Sequence, residues 1–287
     1  MTERYTNATM IDALDYFTSL VQQDDSIPLF EAAVSIAQGT SPQLDLLAAQ
    51  LEVDAFAERL RRRLQADASD LQKIRLLNHL FYRELGFGPN LNHFFDPDNS
   101  YLDRVIATRR GIPISLAVIY MELAQQIGLQ FRGVCFPGHF LLKVPLPAGA
   151  VVLDPMSGAS LSQAELEERL APYWEQQPAL AQKPVSAFLR AATAREILVR
   201  MLHNLKTIFL ENQQWQALLE VQQRLVILLP DDIIERRDRG STYATLECPQ
   251  AALQDLEAYL QKRPNAADAT DIRARLPQLR AASQRLN

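Results

Sequence analysis

Apolar residues recur at three- and four-residue spacing through most of the first hundred positions, which is the pattern of helices that each bury one face. "LDLLAAQLEVDAFAERLRRRL" and "DLQKIRLLNHLFYRELG" predict two such surface helices. Ahead of them, Ser26 as a cap, Pro28 in the first turn and Gly39 as a left-handed stop bound a helix over "IPLFEAAVSIAQG". A short helix follows in "FDPDNSYLDRVIATRRG", where Ser100 and Asp103 form an acidic variant of the capping box and Gly111 marks the stop. From Pro113 to Ile127 the apolar positions lie on almost every side, so that helix is buried in the middle of a domain, and Gly128 ends it.

The period then changes from helical to alternating. "QFRGVCF", "HFLLKV" and "AVVLD" are short, rich in β-branched and aromatic residues, and separated by Pro-Gly and Pro-Ala-Gly turns, which predicts three antiparallel strands. Ser162 with Glu165, and Thr193 with Glu196, spell capping boxes for two later helices, with a loop containing Pro184 between them. Helices followed by a small sheet in one unit indicate a mostly helical α+β class. In the last third the spacing itself repeats. Pro230 and Pro264 stand 34 residues apart, and the same offset pairs Phe209 with Tyr243, Ala217 with Ala251, Leu219 with Leu253, and Leu225 with Tyr259. That is the period of tetratricopeptide helix pairs, although Trp215 aligns with Pro249 and the usual glycine is found only at Gly240. Two pairs and a final helix make a short array, which needs to lean on the preceding domain. The expected division is a helical part over 1–95 packed on a core over 96–190, then helical repeats over 191–287.

Composition narrows the function. The 287 residues are 48% hydrophobic and 22% charged, with no apolar run near the roughly 20 residues that cross a bilayer. "MTERYTNATM" lacks the basic and apolar regions of a secretory signal, so a cytoplasmic protein without a membrane partner is expected. Two cysteines, Cys135 and Cys248, allow neither a disulfide framework nor a four-cysteine zinc site, and both thiols are expected to be reduced. A net charge of −5 argues against nucleic acid as a partner. The one dense basic run, Arg59, Arg61, Arg62 and Arg63, reads as the solvated face of a helix whose Leu60 and Leu64 point inward. Asp96, Asp98 and Ser100 do not make a calcium loop, because Tyr101 stands where glycine is needed and Ala107 where a bidentate Glu is needed.

No phosphate loop, dinucleotide fingerprint, HExxH or GxSxG pattern occurs. The informative constellation is Gly111, Ser115, Cys135, His139 and Asp154. A histidine on one strand and an aspartate on the next can lie side by side, the carboxylate fixing the imidazole tautomer. Their third member belongs at the N-terminus of the buried helix, where the macrodipole and free N–H groups favour a thiolate and an oxyanion.

The run "SYLDRVIATRRGIPISLAVIYMELAQQIGL", with "GVCFPGHFLLKV" and "VVLDPMSGASLS" after it, resembles the SirB-one family, whose central domain is similar to the transglutaminase-like core. The resemblance covers most of the chain and implies a papain-like core with a small antiparallel sheet, followed by a tetratricopeptide-type array. It also implies, loosely, a role in regulating bacterial gene expression. Active relatives of that core carry Gly-x-Cys at the start of the core helix, then His and Asp on successive strands. Laid residue by residue, Gly111, His139 and Asp154 match, and the cysteine position falls on Pro113.

Proline has no nucleophile, yet it suits a first helical turn because its φ is preset and it has no N–H to satisfy. Ser115 lies half a turn away and is expected to bond the carbonyl four residues earlier. Cys135 precedes His139 by four residues across Pro137 and Gly138, so a bend could bring thiol and imidazole together, although free cysteine is ordinarily a small buried hydrophobe. His139 bonded to Asp154 would be a satisfied polar pair even without a reaction. His79, His93 and His203 take surface or packing roles, and no cofactor or metal is expected. Asn99, Ser100, Arg110, Gly111 and Pro113 are candidate cleft-lining residues. The first expectation is therefore a non-catalytic protein that binds a protein or peptide through cleft and repeats. The alternative is an amide hydrolase or acyl transferase with His139 as base, Asp154 as orienter, and Cys135 or Ser115 as nucleophile.

Overall fold

The computed structural model describes residues 12–147, 149–176 and 183–286, so the N-terminal "MTERYTNATM" and Ala148 of the Pro-Ala-Gly turn lie outside the described residues. Twelve α-helices are described. Helices α1 (Ala13–Leu20), α2 (Leu29–Ser35), α3 (Leu46–Arg61) and α4 (Asp70–Asn78) precede α5 (Leu102–Thr108) and α6 (Pro113–Gln126). After the sheet come α7 (Gln163–Gln176) and the C-terminal series α8 (Ala194–Glu211), α9 (Trp215–Leu228), α10 (Ile233–Thr245), α11 (Pro249–Lys262) and α12 (Ala269–Leu286). Strands β1 (Gly88–Pro89) and β2 (Arg110–Gly111) form a short parallel pair. Strands β3 (Arg132–Phe136), β4 (His139–Leu146) and β5 (Gly149–Leu153) make the expected antiparallel meander in the order β3-β4-β5.

Side-chain alternation divides the meander between two layers. Phe140, Leu142 and Val144 face the main core with α6, whereas Val134, Phe136, Leu141 and Val152 pack on Leu166 and Leu170 of α7. α6 is buried all round, as its sequence requires: Leu116, Ala117, Ile119, Tyr120, Leu123 and Ala124 are fully enclosed. Gly128 takes φ +77° immediately beyond it and closes the helix, as expected. The same apolar core includes α1 and α2 on one side and Ile197, Leu198, Met201, Leu202 and Leu205 of α8 on the other.

The repeat period is written in the backbone as well as in the sequence. α9 and α11 are each 14 residues long and begin 34 residues apart, at positions 215 and 249. The two tight turns before them carry left-handed residues at the same offset, Gln213 at φ 55° and Glu247 at φ 57°.

Several expected punctuation marks fall elsewhere. Ser26 lies in a short 3-10 turn, Asp24–Ser26, and does not cap α2, whose N-cap is Pro28 with no side-chain bond. Gly39 ends a 3-10 extension of α2 without a left-handed φ. It is small for another reason: a Cβ there would stand 2.8 Å from Nη1 of Arg224. Ser100 caps nothing, because α5 starts one residue later at N-cap Tyr101 and neither the Ser100 hydroxyl nor Oδ1 of Asp103 finds a partner. The stop of α5 is Arg109, not Gly111. Arg109 adopts φ 60° and is held there by Glu52 at 2.7 Å and by the rings of Phe56 and Phe87 beneath its guanidinium. The boxes at Thr193/Glu196 and Ser162/Glu165 form as read.

Candidate functional site

A cavity of about 230 Å³ opens where the N-terminus of α6, the tip of the β3–β4 hairpin and the flank of α8 meet. Ile112, Pro113 and Ile114 form one wall, Gly138, His139 and Phe140 a second, and Arg200, Asn204, Thr207 and Ile208 a third. Phe94 and Phe95 stand over it, edge to face with ring centres 5.5 Å apart. Both rings are exposed, at 42% and 75%.

Local chemistry explains how each wall is held. Pro113 occupies the first position of α6. Ser115, fully buried, donates to the carbonyl of Asn99 at 2.6 Å and lies 3.0 Å from that of Ile112, while accepting from the Ile112 N–H at 3.1 Å. The expected bond to the carbonyl four residues earlier is therefore replaced by one that ties the helix start to the preceding loop. Asn99 acts behind the cavity. Its amide donates to the carbonyls of His93 at 2.6 Å and Phe94 at 3.2 Å and accepts from Asn90 at 3.1 Å, so it fixes the loop that carries the two phenylalanines.

Of the other expected lining residues, Ser100 and Pro113 reach the cavity. Arg110 does not: its guanidinium donates to the carbonyl of Gly86 at 2.6 Å. Gly111 is packed under the helix start, where a Cβ would meet the Ser115 hydroxyl at 2.7 Å.

His139 and Asp154 do not form the expected hydrogen-bonded pair. The sheet register ends at Leu142 opposite Leu153; continued one step, it would set Asp154 beside Leu141, two residues from His139. Asp154 instead turns out of the sheet, accepting from the Met156 N–H at 2.9 Å and pairing with Arg169 of α7 at 3.2 Å. Burial disfavours the His139 imidazolium, and Arg169 adds to this more than Asp154 opposes it, so the ring titrates below the ordinary histidine value.

Because the folded value is the depressed one, the unfolded chain takes up this proton more readily. Stability from this group is present above about pH 6.5 and is lost as the pH falls below it. By NMR titration, Arg169→Gln is expected to raise the His139 midpoint and Asp154→Asn to lower it; unchanged midpoints in both variants would contradict this placement.

Neither expected nucleophile serves the imidazole. Cys135 pairs with Phe140 and His139 with Phe136, so alternation sets thiol and imidazole on opposite faces of the hairpin. Burial pushes the Cys135 thiol above its ordinary value, away from thiolate. The Ser115 hydroxyl is committed to the helix start.

The loop after β5 is fixed from below. Tyr120 donates to Oδ1 of Asn78 at 2.8 Å, Asn78 donates to the carbonyl of Gly158 at 3.1 Å, and Tyr82 donates to the carbonyl of Pro155 at 3.0 Å. Tyr82 lies in a π-helical turn, His79–Glu84, that continues α4. Gly158, at φ +72°, passes so close that a Cβ would sit 2.4 Å from the Tyr82 ring. Among the remaining histidines, His203 meets Glu235 at 3.0 Å and His79 lies 3.4 Å from Glu84.

Sequence reasoning did not find Arg169, Arg200, Asn204 or the phenylalanine pair. Arg200, Asn204, Thr207 and Ile208 do carry a signal, since they fall on one helical face beside the apolar stripe of α8.

Residues 48–203 match the family model of the transglutaminase-like superfamily, and residues 205–277 match that of the tetratricopeptide repeat. The chain is 30% identical to "Protein SirB1" of Salmonella typhimurium over 76% of its own length and 82% of that protein's. The chain belongs to the SirB1 family. This SirB1-family chain is also 35% identical to a "UPF0162 protein" of Xylella fastidiosa strain Temecula1, covering 89% of the chain and 91% of that protein. It is 28% identical to a "UPF0162 protein" of Vibrio cholerae over 91% and 95% respectively. No solved structure matches it. The transglutaminase-like and repeat architecture read from the sequence is thus the family's own, and repeats of this kind generally mediate contacts between proteins. Among the described residues no helix is long and apolar enough to cross a membrane.

Proposed function

We propose that this SirB1-family protein is a non-catalytic transglutaminase-like protein that binds a protein or peptide segment in the cavity between core and repeats. The observation that carries the reading is the cavity wall itself. At the helix start, where an active relative presents a thiol, the ring of Pro113 lines the cavity that His139 also lines. Among the described residues the imidazole bonds no thiol or hydroxyl, and the Asp154 carboxylate pairs with Arg169. Acyl transfer needs a nucleophile within reach of its base, and neither Cys135 nor Ser115 supplies one. A cleft flanked by exposed Phe94 and Phe95 and by a helix of a repeat array is instead suited to holding an extended segment.

The test is an electrophilic thiol probe on the intact protein, with mass mapping of Cys135. Labelling no faster than a model thiol, and indifferent to His139→Ala, is the expected result. Fast labelling that collapses in His139→Ala would overturn the non-catalytic reading.

A further inference from the structure

The cavity holds more hydrogen-bonding capacity than the chain uses. Ser100 borders the cavity but is only 2% exposed, and its Oγ, which has no partner, is itself shut off from solvent. That hydroxyl is closed off behind the wall, so the groups open to an occupant are those of α8 and of the start of α6. Arg200 and Asn204, both half-buried on α8, form no hydrogen bond or ion pair among the described residues. The N–H of Ile114, in the first turn of the 14-residue α6, has no acceptor within its helix and stands at the positive end of the dipole.

These groups are mostly donors, and no lining residue is acidic. Arginine offers five donors and no acceptor, in a planar fork that fits a carboxylate. The rest of the wall is apolar, from Ile112, Pro113, Phe140 and Ile208. At about 230 Å³ the space falls below the roughly 300–1,000 Å³ of pockets that enclose whole small molecules, and suits one residue at the end of a chain.

We propose that the cavity binds the C-terminal carboxylate of a peptide whose last side chain is apolar, with the carboxylate at Arg200 and Asn204 and the side chain against Pro113 and Ile208. This rests on the reading of the cleft as a binding site without catalysis. Phe94 and Phe95 would then flank the preceding residues of the peptide.

The experiment is calorimetric titration of the full chain with acetyl-Ala-Ala-Ala-Leu carrying a free C-terminus, with its C-terminal amide, and with N-acetyl-leucine. The free acid is expected to bind at least about tenfold more tightly than the amide, as a charge-assisted contact would give. Arg200→Gln should remove that preference, and Asn204→Ala should weaken the acid several-fold, both without changing the fold by circular dichroism. N-acetyl-leucine should bind about tenfold more weakly than the peptide acid. Equal binding of acid and amide, a preference that survives Arg200→Gln, or no binding of either peptide would overturn the inference. Binding of N-acetyl-leucine as tight as the peptide would overturn it in favour of a small carboxylic acid. Mass analysis of the recovered peptides separates the two readings: shortened or acylated products sink the non-catalytic reading, whereas intact peptides bound without acid preference sink the carboxylate site alone.

Discussion

Deletion of every residue after Arg190 is expected to leave an aggregating, molten polypeptide rather than a smaller folded domain. Seven side chains of α8 are buried: Ile197, Leu198, Met201, Leu202, Leu205, Ile208 and Phe209. All seven belong to the same cluster as Phe30, Val34, Leu116 and Ile119 of α2 and α6. At about 1.5–3 kcal/mol for each fully buried apolar side chain, their loss removes some 10 kcal/mol or more. That equals the whole stability of an ordinary domain, about 5–15 kcal/mol, and leaves a contiguous apolar face open to water. Size-exclusion chromatography and a thermal melt of the truncated chain would check it. A monomeric truncate melting with the same cooperativity as the full chain would refute it.

The second large effect concerns a buried cation. Arg224 of α9 is 1% exposed, lies over the Phe17 ring, and has its Nε and Nη2 without partners. Its one ion pair among the described residues is with Glu220, 3.1 Å away on the same helix. Removing one member of a buried pair leaves an uncompensated charge, so Glu220→Ala is expected to destabilise the protein by about 2–3 kcal/mol, somewhat less than for a wholly buried pair because Glu220 keeps contact with water. Arg224→Met exchanges the cation for an apolar side chain of similar length and should fall within about 1 kcal/mol of the parent or be more stable. The double variant should recover what Glu220→Ala loses. Denaturant titrations would decide, and an Arg224→Met loss larger than that of Glu220→Ala would show that the guanidinium is worth more than its burial costs.

What the sequence disclosed and what it withheld divide along the range of the interactions involved. Helix α6, the three-stranded meander and the 34-residue period rest on near neighbours, so periodicity and turn residues find them. The box at Thr193 formed because Glu196 is three residues away, whereas the box at Ser100 failed because the helix began at the next residue, leaving the Ser100 hydroxyl and Oδ1 of Asp103 buried without partners. Gly39 was legible as a small residue but not for its reason, which is an arginine 185 positions later, at 224. The same holds at the site. Pro113 could be read from one motif, because the departure is local. The diversion of Asp154 from His139 could not, since it depends on Arg169 approaching from another layer. The α8 wall of the cavity also arises from packing between distant segments, and no spacing rule reports it.

Helix α8, within which the transglutaminase-like match ends and the repeat match begins, is engaged on both sides. One flank of α8 is sunk into the core and another forms a wall of the cavity, so the array is not an arm joined by a flexible elbow. A protein gripping the repeats would meet a platform continuous with the core. An occupant of the cavity would touch core and array together, and the occupied chain would resist melting as one cooperative body.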